Sequence, residues 1–160
     1  MTMREGMSMS LSNISAITCA WLYFMLAAGA TYAADEPSVD PCSLITKAEV
    51  EEIIGKMKGA PISSREERVR ICNFEFVNEK DALELWVFPA GGLERARQSI
   101  KTQSPVAGLG EGAFMTRNKD IPYIELYLKK GQVTLEVTVK QSPGDEDKVK
   151  AVAKKAFSRL

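Results

Sequence analysis

The sequence predicts an α+β domain: an antiparallel sheet of five to six strands with helices packed on one face, in the order α-β-β-β-α-β-β-β-α. Three observations predict it. Several short segments alternate apolar and polar side chains, the period of a strand with one dry face. Short polar turns join them, which favours antiparallel pairing. Segments with an apolar helical stripe lie before, between and after the strands. A chain of 160 residues has room for one domain and hardly two.

Composition excludes more than it assigns. Lys+Arg and Asp+Glu both number 21, so there is no basic excess of the kind that displaces phosphate counterions, and nucleic acid is not an expected partner. The chain has no histidine. That removes the commonest general base, the commonest metal ligand and the usual activator of a nucleophilic Ser or Cys. No catalytic residue, metal site or cofactor is expected.

Residues 1–33 read as an export signal. Arg4 gives a weakly basic start, Ile14 to Ala30 is almost wholly apolar, and Thr31-Tyr32-Ala33 fits a small-x-small cleavage site. Cleavage is expected after Ala33, with Ala30 and Ala34 as alternatives, which makes the protein periplasmic or secreted. The competing reading is a retained N-terminal membrane anchor, the only route to a membrane. Lipid modification at Cys19 is not expected, because Ala16-Ile17-Thr18 is a poor lipobox and the apolar run continues past it.

Residues 34–41 form an extended, proline-punctuated linker to a single domain, 42–160. Its first helix is well signed. Thr46 is the N-cap and Glu49 completes a capping box, Ile45 and Val50 can close a hydrophobic staple, and Gly55 stops the helix. With the signal removed, Cys42 and Cys72 are the only cysteines, and an even pair in an exported domain points to a disulfide. The alternatives are zinc, which would need two further ligands, and a redox pair, which is more often C-x-x-C.

The first strands are expected at Ala60 to Ser64, Val69 to Val77 and Ala82 to Phe88, with Arg65 to Arg68 and Asn78 to Asp81 as turns. Alternation puts Cys72, Phe74, Phe76, Leu83, Leu85 and Val87 on the helix-covered face. Asn73, Glu75, Glu84, Trp86 and Phe88 take the other. Pro89 to Gly92 breaks the strand, and Leu93, Ala96, Arg97 and Ile100 share one side of a second helix that ends by Gln103 to Pro105. Gly108, Gly110 and Gly112 suggest a phosphate cradle, but they follow a helix and enter a strand, and no Lys-Ser/Thr pair follows. A tight turn with positive φ is the better reading.

These residues bring a resemblance into view. Asp40-Pro41-Cys42-Ser43-Leu44-Ile45-Thr46, a strand cysteine about thirty residues on, and Gly108-Leu109-Gly110-Glu111-Gly112-Ala113 recur in that order in one group. The chain resembles a family of small exported bacterial domains, many of them lipoproteins, with a PCSLLT…C…GLGDxA pattern. It departs in lacking a lipobox and in having Glu111 where Asp is usual. The resemblance covers most of the mature chain and implies export and a bridged α+β domain. It brings no common activity, and so no catalytic residues.

Three more strands are expected at Ala113 to Arg117, Pro122 to Lys130 and Val133 to Lys140, the last the cleanest alternation in the chain. Ser142 should cap the final helix, whose buried stripe is Val149, Val152, Ala153, Ala156 and Phe157. The open face of the sheet then collects the candidate binding residues Trp86, Phe88, Tyr123, Tyr127, Glu84 and Glu125, with Glu75 and Glu136 near them. The rings would stack on a ligand and the carboxylates would hold hydroxyls, amines or a cation. Two other readings compete: aromatic side chains simply suit a half-wet sheet, or the face is a protein interface. The functional expectation is a non-catalytic exported domain that binds an envelope protein or a small molecule. The alternative is a carboxylate-dependent, glycosidase-like hydrolase using Glu84 and Glu125, which requires their strands to be neighbours.

Overall fold

The structure, a computed structural model, describes residues 37–117, 122–140 and 144–160. The expected export signal with its cleavage site, and the expected helix cap Ser142, lie outside the described residues. Among the described residues, no helix is long and apolar enough to cross a membrane.

A 3-10 turn at Pro41–Ser43 leads into α1 (Lys47–Ile53). Then come β1 (Ile62–Glu66), β2 (Val69–Phe74), β3 (Leu83–Phe88), α2 (Gly92–Ser99), β4 (Ser104–Pro105), β5 (Phe114–Arg117), β6 (Tyr123–Lys130), β7 (Val133–Lys140) and α3 (Asp145–Arg159). The strands form one seven-stranded sheet, ordered β1-β2-β3-β7-β6-β5-β4, with every neighbouring pair antiparallel. The expected α+β class is therefore present, with β4 added where the sequence suggested only a helix end. β1 runs past the expected Ser64 to Glu66, because Arg65 and Glu66 pair with Arg70 and Val69, which leaves Glu67 and Arg68 to make the turn. β2 stops at Phe74, and Phe76 instead bridges to Met57.

The inner face is dry. Cys72 and Phe74, Leu83, Leu85 and Val87, Leu135, Val137 and Val139, and Ile124, Leu126 and Leu128 pack with α1 and α3 in one apolar cluster. The capping box on α1 is formed: Thr46 Oγ1 accepts from the Glu49 amide and Glu49 Oε2 accepts from the Thr46 amide. Glu49 also takes a two-pronged bond from Arg159 at 2.8 and 2.9 Å, tying the start of α1 to the end of α3. Arg159 first, and the Thr46 amide second, hold the Glu49 carboxyl well below the usual carboxylate range. The Cys42–Cys72 disulfide joins the turn before α1 to the inner face of β2, with Cα atoms 5.2 Å apart.

α2 lies on the other face, unlike α1 and α3. Leu93 packs with Phe114 and Tyr127 in a second, smaller cluster, with Ala96 and Ile100 at its margin. The cause is local. Phe114 and Met115 point to opposite faces of β5 and both are buried, so this end of the sheet needs cover on both sides. Gly92 permits the approach: a Cβ there would lie 2.7 Å from Phe88 Cβ and 3.0 Å from Thr134 Cβ. The Leu93 amide then donates to Thr134 Oγ1 at 3.0 Å.

The glycine loop is a packing turn, as its context suggested. Gly108, Gly110 and Gly112 all have φ between 69° and 82°. A Cβ on Gly110 would sit 2.5 Å from the Lys129 carbonyl oxygen. The Gly112 carbonyl accepts from the Arg97 guanidinium, which also lies 5.0 Å over the Phe114 ring.

Candidate functional site

Register sorts the outer face into rows. One runs Asn73, Glu84, Thr138, Glu125, Thr116 across β2, β3, β7, β6 and β5. The next runs Ile71, Trp86, Glu136, Tyr127, Phe114. A third holds Phe88, Thr134 and Lys129. Trp86 and Tyr127 are on the face opposite Phe74, as alternation requires.

α2 divides this face. It covers the Phe114–Tyr127 end, where those rings stack with centroids 5.0 Å apart, and Tyr127 is only 8% exposed. Tyr127 therefore belongs to the packing beneath α2, not to an open platform. Its hydroxyl donates to Glu125 Oε2 at 3.0 Å, and burial first, then the Glu136 and Glu125 charges, push its pKa upward. Trp86 and Phe88 stay half-buried and stack on each other with centroids 6.4 Å apart. Tyr123 is half-buried at the far end of β6, opposite Lys140. The six expected residues are thus split: Glu84, Trp86 and Glu125 lie on the part of the face away from α2, Phe88 borders Gly92 at the start of α2, Tyr127 is sealed, and Tyr123 is peripheral.

The order of the strands adds a residue that the candidate set omitted. β7 lies between β3 and β6, so Glu136 sits between Trp86 and Tyr127, diagonal to both Glu84 and Glu125. Each carboxylate accepts one hydrogen bond from its own strand: Glu84 from Trp86 Nε1 at 2.9 Å, Glu125 from Tyr127, and Glu136 from Thr138 Oγ1 at 2.9 Å. Burial above all, then the Glu125 charge, pushes the Glu136 carboxyl up to about 7, against downward pulls from Thr138 and Tyr127. The sequence signal was present in the alternation of β7. What was missing was which strands flank it.

The same order separates the pair expected for a hydrolase. Glu84 and Glu125 both face Thr138 from opposite sides, so their strands are not neighbours and their backbones are two strand spacings, about 10 Å, apart. Among the described residues, no group of acids and cysteines is arranged to hold a metal ion. A separate cavity of about 440 Å³ lies by β4 and α3, lined by Ser104, Val106, Met115, Glu146 and Lys150 among others. Its Glu146 carboxylate is already shared by Arg117 and Lys150.

Comparison with known proteins adds little to this geometry. No family model and no curated protein matches the chain. Among solved structures it is similar to a GTP binding regulator from Thermotoga maritima, at 15% identity over 74% of this chain and 92% of that one, with a TM-score of 0.39. So loose an overlap identifies neither a shared fold nor a shared ligand.

Proposed function

We propose that this is a non-catalytic, exported domain that binds a protein partner through the uncovered half of its outer sheet face. The observation that carries the reading is the half-buried, mutually stacked Trp86–Phe88 pair set beside three carboxylates, Glu84, Glu125 and Glu136, on the part of the face beyond the α2 cluster. A side chain as large as Trp86 on a wet face is the kind of anchor that concentrates binding energy at protein interfaces. Its flanking carboxylates supply polar recognition. Export is supported by the signal-like N-terminus, by the disulfide and by the resemblance to exported bacterial domains.

Capture of partners from envelope extract by the full-length chain, compared with Trp86→Ala, tests the reading. Capture should fall by about tenfold or more in the variant. Equal capture by both proteins removes the face from consideration.

A further inference from the structure

We propose that Glu136 works as a proton-operated latch on α2: protonated, it lets the helix seat on the outer face, and ionised, it drives the helix off Phe114 and Tyr127. This device goes beyond partner binding and stands on where the chain puts Glu136. Its side chain shares the outer face of β7 with Thr134, two residues away. It pairs across the sheet with Tyr127 on β6. Those two neighbours form the seat of α2. The Leu93 amide donates to Thr134 Oγ1 at 3.0 Å, and Leu93 packs with Tyr127 and Phe114. An ionisable group thus adjoins two of the points that hold α2 to the sheet.

The groups around Glu136 come from four elements. On β3, Glu84 lies diagonal to it and Trp86 opposite, with the indole Nε1 donating to Glu84. On β6, Glu125 lies diagonal, and the Tyr127 hydroxyl donates to Glu125. That hydroxyl stays protonated, because burial first and then the Glu136 and Glu125 charges push its pKa upward. On β7 itself, Thr138 Oγ1 donates to Glu136. The cations of α2 and the adjoining strands are engaged elsewhere: Lys129 with Glu94, Arg95 with the Ala90 carbonyl, Arg97 with the Gly112 carbonyl and the Phe114 ring, and Lys140 with the Glu79 carbonyl. Ionising Glu136 therefore places a charge at a half-buried point beside two other carboxylates. Burial first, then the Glu125 charge, delays that ionisation to about 7. The chain has no histidine, so no other side chain of ordinary pKa changes charge between about pH 5 and 8.

α2 is the cover that yields. It has eight residues, its N-cap Gly91 offers no side-chain cap, and it rests on a small buried cluster. α1 and α3 pack on the opposite, dry face, where their release would bring no water to Glu136. The sign follows from linkage. The seated state binds the proton more tightly than the lifted one, so lifting increases as pH rises from about 4.5 to about 7 and levels off above. Glu94 pulls the other way. Lys129 above all holds the Glu94 carboxyl below its ordinary range, so it ionises before this window and tightens α2 when it does. Neutral pH then uncovers Leu93, Phe114 and Tyr127, an apolar patch that acid keeps closed.

Amide hydrogen exchange in the full-length chain tests this, with E136Q measured at the same pH so that the pH dependence of the exchange chemistry cancels. The reporting amides are Leu93, Arg95 and Ile100, which donate to Thr134, Gly91 and Ala96. At about pH 4.5 the parent and the variant should exchange alike in α2. At about pH 7.5 the parent should exchange about tenfold faster there, and low urea should leave that rate unchanged, the mark of a local opening that exposes little surface. Equal ratios at the two pH values overturn the latch. So does a rise that α1 and α3 share and that steepens with urea, since the proton would then act on the whole fold. A second variant, Glu94→Gln, releases the tie to Lys129 and should quicken α2 a few-fold at both pH values while keeping the parent's rise. Loss of the rise in that variant overturns the assignment to Glu136.

Discussion

The two faces of the sheet are built from the same strands and the same alternation, yet they solve different problems. The inner face is continuous. Leu85, Val87, Leu126, Leu128, Leu135 and Val137 are fully buried, and two helices and a disulfide close over them. The outer face is closed at one end by α2 on a three-residue buried cluster, and at the other its buried and half-buried groups mix Ile71 and Trp86 with threonines and glutamates. The contrast teaches where this domain keeps its stability and where it can interact with something else. An apolar layer sealed on one side lets the other carry like charges side by side.

If the inner face holds the fold, unlinking it should have the largest effect. The pair Cys42→Ala/Cys72→Ala opens a loop with a sequence separation of 30 and should cost about 3–4 kcal/mol in the chain-entropy account. Urea unfolding checks it, and a loss below 1 kcal/mol would show that α1 stays docked through Glu49 and the apolar contacts alone. A smaller loss is expected on the outer side. Gly92→Ala puts a methyl group 2.7 Å from Phe88 Cβ and 3.0 Å from Thr134 Cβ, with little room for either to yield. It should cost about 2 kcal/mol. Amide exchange should quicken in α2 before it does in α1 or α3. Simultaneous loosening of all three helices would mean that the two faces do not behave separately.

Much of this division was written in the chain order, and part of it could not be. Strict alternation located β3, β6 and β7 and assigned Phe74 and Trp86 to opposite faces. Thr46 with Glu49 announced α1, and the cysteine pair announced the bridge. The side taken by α2 depended on a subtler sign. Phe114-Met115 is an apolar pair on consecutive positions, and consecutive apolar residues in a strand require cover on both faces. The Glu84–Glu136–Glu125 grouping had no sign at all in sequence, because it depends on β7 inserting between β3 and β6. Periodicity fixes the face of each residue, but only pairing fixes its neighbours across the sheet. Alternation alone therefore offers Glu125 as a partner of Glu84, whereas Glu136 lies closer to both in register.

The smallest effect has the most distinctive sign. Glu136 is raised to about 7 in the folded protein by burial and by the Glu125 charge. In the unfolded chain it titrates as an ordinary carboxylate near 4.5. Between those values the folded state holds a proton that the unfolded state has released, so stability falls as pH rises through the window and levels off above it. Glu136→Gln has no proton to lose, and its amide oxygen can still accept from Thr138. The variant should therefore match the parent below about pH 4.5 and exceed it by on the order of 1–2 kcal/mol at about pH 8. Urea midpoints at the two pH values decide it. A gap of the same size at both would mean that the substitution acts through packing, and that the crowding of charge on the open face is not what the sheet tolerates at a cost.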